Sequence, residues 1–333
     1  MGELRGLFRY ASTVVAALVV VVGCLPSTAV SPSATQPDVS PVVSPLVSPS
    51  PTPTAAPSSS PTSEPSSASG VPAFSHVWII VLENRDYSRV VGADDLPYMT
   101  GLIERYGLAE SYFGVARPSQ PNYLAMFSGS THGVADNDNH DIDAPTIADQ
   151  IEASGRTWRQ YAENVPPDCF KGSRAEGGRD GPGEYVRKHA PAISFTSIST
   201  DPARCAFIED FSAFRPGDAD FALIIPNQCH DAHDCRLRVA DDWLAEHVPT
   251  IIESEAFRSD GVLFLTFDED AGDDPSGGHI ATIVVSPLVA AGTRSSVRYD
   301  HYSLLRTIED AWGFDCLAKA CDAIPMADFF TTR

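Results

Sequence analysis

With 333 residues, 43% of them hydrophobic and 20% charged, the chain is long enough for one large α/β domain or two small ones. Its formal net charge of −21 sets up a mean field that repels nucleic acid and anionic membranes, so neither is expected as a general partner. If a substrate is nonetheless anionic, bound cations must reverse the sign locally.

Residues 1–24 carry Arg5 and Arg9 ahead of an apolar run over 11–22, too short to span a bilayer and shaped like an export signal. The run ends in Val21, Val22, Gly23 and Cys24, which resembles a bacterial lipobox. Cys24 is then the expected lipidated N-terminus of a cell-surface protein, with an ordinary secretory signal as the alternative. Such an anchor is the only membrane contact expected. Residues 25–72 hold 12 of the 27 prolines, two charges (Asp38 and Glu64) and no aromatic residue. That composition cannot build a core and predicts a disordered, extended stalk. Residues 73–333 remain as the folded domain, and they keep all but two of the 23 basic and all but three of the 44 acidic residues.

Six further cysteines behind an export signal point to disulfides. Pairing sequence neighbours joins Cys229 to Cys235 and Cys316 to Cys321, leaving Cys169 for Cys205. A zinc cluster is the rival, but no C-x-x-C pair is present.

From residue 73 onward, apolar runs and helical spacings alternate. Strands are predicted over 76–82, 109–115, 157–162, 221–225, 261–267 and 279–286. Helices are predicted over 96–106, 121–127, 146–153, 241–255 despite Pro249, and 300–312. Near-continuous apolar strands separated by helices imply a mainly parallel sheet covered on both faces, a three-layer α/β/α sandwich. Ligands of such sheets bind at the carboxyl ends of the strands.

Polar residues collect at those ends. The strand over 262–267 delivers Asp268, Glu269 and Asp270, three consecutive carboxylates that need a positive partner if buried; a divalent cation is the usual one. The strand over 76–82 ends in Glu83 and Asn84, that over 109–115 is followed by Ser119, and that over 221–225 leads to Asn227, His230, Asp231 and His233. Singly, each could cap the next helix; four strands emptying onto one edge favour a site. Prolines 118 and 121 fix the turn around Ser119, and a helix starting near Pro121 would aim its positive end at the hydroxyl and at a bound phosphate.

The segment Pro118, Ser119, Gln120, Pro121, Asn122, Tyr123, followed by Ser128-Gly129, His132-Gly133 and Asp136-Asn137, resembles the nucleophile segment of the alkaline-phosphatase superfamily. Together with Glu83-Asn84-Arg85, Ile225-Pro226-Asn227 with Asp231 and His233, Thr266 to Asp270, and His301-Tyr302-Ser303, it is similar to the phosphoesterase family of secreted bacterial acid phosphatases and phospholipases C. The resemblance implies an alkaline-phosphatase-like fold and a phosphoserine pathway. Ser119 matches the nucleophile and Asn137 the phosphate-oxygen donor. Arg85, Arg117 and Asn122 are the expected substrate contacts. Glu83, Asn84, Asp268 and Glu269 would make an oxygen-rich site for a hard cation such as Ca or Mg, and Asp231, His233 and His279 a second site suited to Zn, Fe or Mn. The superfamily usually has Asp where Glu83 stands and Asp-His where Asp268-Glu269 stands, so one metal or two are both open. His301 is expected either to donate a proton or to cap its helix.

Three other readings carry less. A sulfatase would need Arg where Tyr123 stands, and a serine hydrolase a G-x-S-x-G elbow around Ser119. A non-catalytic stalked binding module would not need the retained ligand set. Within the family, phosphate monoesters, phosphoinositides included, are favoured over diesters and phospholipids because no lipid-binding appendage is evident.

Overall fold

The computed structural model describes residues 69–176 and 183–330; the expected export signal, Cys24 and the expected stalk up to residue 68 lie outside the described residues. In chain order the strands are β1 Val77–Leu82, β2 Gly107–Phe113, β3 Trp158–Ala162, β4 Arg174–Ala175, β5 Tyr185–Val186, β6 Ile208–Asp210, β7 Phe221–Ile225, β8 Val262–Phe267, β9 His279–Val285, β10 Thr293–Ser295 and β11 Tyr299–Asp300. The α-helices are α1 Tyr87–Val90, α2 Pro97–Arg105, α3 Ser119–Ser128, α4 Ile147–Ala153, α5 Thr196–Ser199, α6 Pro202–Cys205, α7 Leu237–Ile252, α8 Glu255–Asp260 and α9 His301–Trp312.

Strands β4 and β5 form a separate hairpin; the rest make one nine-stranded sheet in the order β10-β2-β9-β8-β1-β7-β3-β6, with β11 also on β2. Every pairing in it is parallel except those of β9, which runs against both β2 and β8. Every residue of the central strands β1, β7 and β8 is buried, as their β-branched and aromatic runs require of a sheet covered on both faces. The helices pack in two groups, α2 with α7 and α8, and α3 with α4 and α9. The predicted α/β class, its mainly parallel sheet and each predicted strand and helix are present.

Two boundaries differ for a physical reason. Helix α3 starts at Ser119 rather than near Pro121, because a proline in the first turn gives up an N–H that has no intrahelical partner there. It ends at Gly129, whose left-handed backbone (φ 72°) lies so close to the Leu317 carbonyl that a Cβ would sit 2.1 Å from its oxygen. Helix α7 begins four residues before the expected start and carries Pro249 in its last turn. The three disulfides are Cys169–Cys205, Cys229–Cys235 and Cys316–Cys321, which removes the zinc-cluster alternative.

Candidate active site

The parallel register of β1 and β8 pairs Leu82 with Phe267, so the residues that follow leave the sheet side by side. Backbone bonds continue the ladder past the strand ends: Asp268 N–H donates to the Leu82 carbonyl (3.0 Å) and Arg85 N–H to that of Glu269 (3.2 Å). The loop after β7 joins from the other side of β1, with Glu83 N–H donating to the Asp231 carbonyl at 2.8 Å. The Cys229–Cys235 disulfide closes that loop. The backbones of Glu83, Asp231 and Asp268 are thereby set side by side, and none of the three residues has exposed surface.

Ser119 is the first residue of α3 and is also buried; its hydroxyl donates to Glu83 Oε2 at 3.1 Å. The same carboxylate accepts from Asn84 Nδ2 (2.9 Å) and, on Oε1, from the Tyr123 hydroxyl (2.6 Å). His189 lies between two carboxylates, Nε2 3.1 Å from Glu83 Oε1 and Nδ1 3.4 Å from Asp231 Oδ2, with its ring stacked on Tyr123. Burial works against ionising Glu83, but His189, Lys188 and the Tyr123 hydroxyl outweigh it and hold the carboxyl below its ordinary range. Burial also acts against the charged form of His189, and Glu83 with Asp231 reverses that, so its pKa is raised.

Asp268 is the opposite case. Its Oδ1 accepts from Asn84 N–H at 3.0 Å, while Oδ2 is buried with no hydrogen-bond partner among the described residues. Burial, then the charges of Glu83 and Glu269, push its pKa well above the ordinary carboxylate range. Glu269 is pushed up to about 7, again chiefly by burial, with Arg117 pulling the other way from 3.4 Å. Among the described residues no three His, Cys, Asp or Glu side chains converge as a ready-made metal cage. The Ser119 hydroxyl adds an oxygen to these carboxylates, while Asn84 turns its Nδ2 to Glu83. An orphaned carboxylate oxygen among repelling carboxylates is what a cation would satisfy, and carboxylate and hydroxyl oxygens suit a hard one.

Other expected site residues lie further out or are otherwise engaged. Asn137 is exposed but bonds the start of α3, its Oδ1 accepting from Gln120 N–H at 3.1 Å. Asn122 is fully buried and spent on backbone: Oδ1 accepts from Val115 and Ala116 N–H, and Nδ2 donates to the Ala116 and Pro118 carbonyls. It therefore shapes the turn that presents Ser119 instead of facing substrate. His301 sits one layer behind, with Nε2 2.6 Å from the Asp268 carbonyl and Nδ1 3.3 Å from the Tyr112 hydroxyl. Burial lowers its pKa to about 4, so the ring is a neutral brace for Asp268, and Asp300 caps the helix in its place. Arg117 is tied to Glu269 and Asp270, and Arg85 donates to the carbonyls of Asn84, Ala232 and Cys235, tying two loops together.

The second set of ligands is not assembled. His279 is stacked between Tyr87 and Phe113 and its Nε2 lies 3.0 Å from the Glu110 carbonyl; it pairs with Phe113 at the end of β2, and β8 and β1 stand between its strand and β7, whose loop carries Asp231. The His233 ring is exposed and paired with Asp234. Asp231 instead faces His189, a residue that sequence reasoning missed. It lies on a short 3-10 turn over Arg187–His189, and Arg187 anchors that turn to the carbonyls of Lys171 and His140 and to Asp141.

A model of the phosphoesterase family matches residues 92–315. The chain is 32% identical over 257 residues to a phosphate-repressible acid phosphatase of Penicillium chrysogenum, covering 74% of this chain and 60% of that protein. It thus spans less than two thirds of the fungal relative's length. It is also 30% identical over 271 residues to a phosphatidylinositol-3-phosphatase of Mycobacterium tuberculosis, covering 79% and 85% of the two chains. Among solved structures it resembles a phosphonate monoester hydrolase from Silicibacter pomeroyi (TM-score 0.53, 13% identity, 77% and 76% covered). A protein of the alkaline phosphatase superfamily from Vibrio parahaemolyticus matches similarly (TM-score 0.50, 11% identity, 76% and 71% covered). At such identities these two speak for the fold, which is that of the alkaline phosphatase superfamily. The family match runs over the strands and loops that hold Ser119, Asp231 and Asp268, and the chain belongs to the phosphoesterase family.

Proposed function

We propose that the chain is an exported, metal-dependent acid phosphatase that cleaves phosphate monoesters through a phosphoserine on Ser119. The observation that carries this is the Ser119 hydroxyl, buried at the positive end of α3 and donating to Glu83 beside an unsatisfied Asp268 oxygen. Glu83, Asn84, Asp268 and Glu269 would hold one divalent cation. When bound there, it supplies charge that favours the serine alkoxide and neutralises phosphoryl oxygens.

The protein's own groups define the rest. Ser119 Oγ attacks phosphorus in line, its proton passing toward Glu83 Oε2; of the first three residues of α3, Asn137 holds the Gln120 amide and Pro121 has none, which leaves the Ser119 amide for the transferred phosphoryl group. Asn137 lies beside that helix start, where its Oδ1 holds the Gln120 amide and its Nδ2 would be the donor to a phosphoryl oxygen. As the Ser119–phosphorus bond forms, the ester P–O bond breaks and the substrate alcohol leaves with a proton; water then attacks the phosphoserine, returning the Ser119 hydroxyl and releasing phosphate. His189 and Tyr123 fix the Glu83 carboxylate, and the burial of the cluster keeps competing water out. The acid phosphatases and the phosphatidylinositol-3-phosphatase among the relatives support a monoester substrate, phosphoinositides included, over a phosphodiester. Three disulfides support export, and anchoring through a lipidated Cys24 follows from the lipobox.

The full chain is expected to hydrolyse p-nitrophenyl phosphate, to lose that activity in EDTA and to regain it with a divalent cation. Faster turnover of bis-p-nitrophenyl phosphate than of the monoester would replace the monoesterase reading with the diesterase one.

A further inference from the structure

A cavity of about 600 Å³ is lined by Arg85, Arg89, Arg236 and Arg238 against Asp86 and Asp95. In a chain of net charge −21, a wall with twice as many arginines as acids runs against the mean field. Part of its lining continues the loops that build the candidate active site. Arg85 and Asp86 follow Glu83 and Asn84, Arg236 follows the disulfide-closed loop of Asp231, and Ala271 of the same wall follows Asp268 to Asp270.

The arginines differ in what they already do. Arg85 is held by backbone carbonyls and Arg238 is paired with Asp242 at 2.8 Å. Arg89 and Arg236 are exposed, and neither side chain makes an ion pair or hydrogen bond among the described residues. A second feature converges on the same space. The 16-residue helix α7 begins there at Leu237, and its N-cap, Arg236, supplies no side-chain acceptor for the first-turn amides. Free guanidinium groups and the uncapped positive end of a long helix form a site for an oxyanion, and guanidinium geometry suits phosphate.

We infer that this cavity is a second-phosphate subsite, which binds a phosphate on the same substrate molecule whose other phosphate is transferred to Ser119. The inference rests on the phosphatase reading and narrows its substrate class to bisphosphorylated molecules, either soluble sugar bisphosphates or the headgroups of phosphoinositide bisphosphates. The phosphate in the subsite stays attached; it only orients the molecule.

The test compares the full chain with its Arg89→Gln/Arg236→Gln variant on p-nitrophenyl phosphate, fructose bisphosphate and a short-chain phosphatidylinositol bisphosphate. The variant is expected to lose about ten-fold in kcat/KM on a bisphosphate and to stay within about two-fold on p-nitrophenyl phosphate, since two charge-assisted contacts are removed. Arg89→Lys/Arg236→Lys should recover part of the loss. A loss on fructose bisphosphate assigns a soluble substrate, and a loss confined to the phosphoinositide assigns a headgroup. Equal values, or a parallel fall on all three substrates, would overturn the subsite. A wild-type chain inactive on all three contradicts the phosphatase reading instead. The subsite is then decided by calorimetry in Ser119→Ala, where the arginine substitutions must weaken fructose bisphosphate binding by about ten-fold or the inference fails.

Discussion

Asp241 and Asp268 are the same residue type and are equally hidden, with 1% and 0% of their surface exposed, yet their surroundings differ completely. Asp241 on α7 reaches across to the start of α2, where its two oxygens accept from Tyr98 and Met99 N–H at 3.1 and 2.8 Å. Leu96 cannot cap α2, so a neighbouring helix supplies the acceptor. Asp268 has one oxygen satisfied and one without a partner, facing like charges. A saturated buried carboxylate is architecture. An unsaturated one marks the place for a ligand that the chain does not itself provide.

Four substitutions separate these roles, taken from the largest expected effect. Ser119→Ala should cut turnover by about 1,000-fold or more while leaving the thermal midpoint near that of the wild type, because only the nucleophile is removed. Asp268→Asn should cost about 100-fold or more in turnover, as expected for a group that helps place charge at the reacting centre. It should nonetheless raise the melting temperature in EDTA, since it removes a repelling charge, and the wild type should lose more stability to EDTA than this variant. Asp241→Asn should do the reverse, costing about 1–3 kcal/mol in denaturant unfolding through mismatched amide contacts, with turnover per folded molecule unchanged. If both asparagine variants lower stability and spare activity, Asp268 is architecture too.

The smallest effect concerns a third buried carboxyl, Glu309 on α9. One oxygen accepts from Leu317 N–H at 2.8 Å, the other has no partner, and burial raises its pKa from 4.5 to about 8. A group whose folded pKa is raised stabilises the fold fully below pH 4.5 and loses that contribution as pH rises through about 8. Melting temperatures between pH 5 and pH 8 should therefore fall less steeply in Glu309→Gln than in the wild type.

The sheet and half the site were legible because apolar strands with polar tips need no tertiary knowledge: 76–82 before Glu83 and 261–267 before Asp268 announce both the strand and its functional end. Neither the direction of β9 nor its neighbours were legible, since an apolar run states neither; β8 and β1 separate it from β7, so His279 stands beside Phe113 and away from Asp231. Asn122 matched a motif whose contacts turned out to be backbone of its own loop. Tyr123 was read as part of the nucleophile segment and as the residue that excludes a sulfatase, not as a partner of Glu83, although its hydroxyl bonds that carboxylate. His189 carried no signal at all: its turn has no periodicity, and it reaches the site only because Arg187 ties it to residues 16 and 47 positions away.

The central claim is a covalent phosphoryl group on one serine. Acid quenching of the full chain during turnover of a phosphate monoester, followed by peptide mass spectrometry, should find a phosphoryl increment on Ser119 that disappears in Ser119→Ala. Phosphate release at full rate with no modified peptide, or with the label on another residue, would contradict the account.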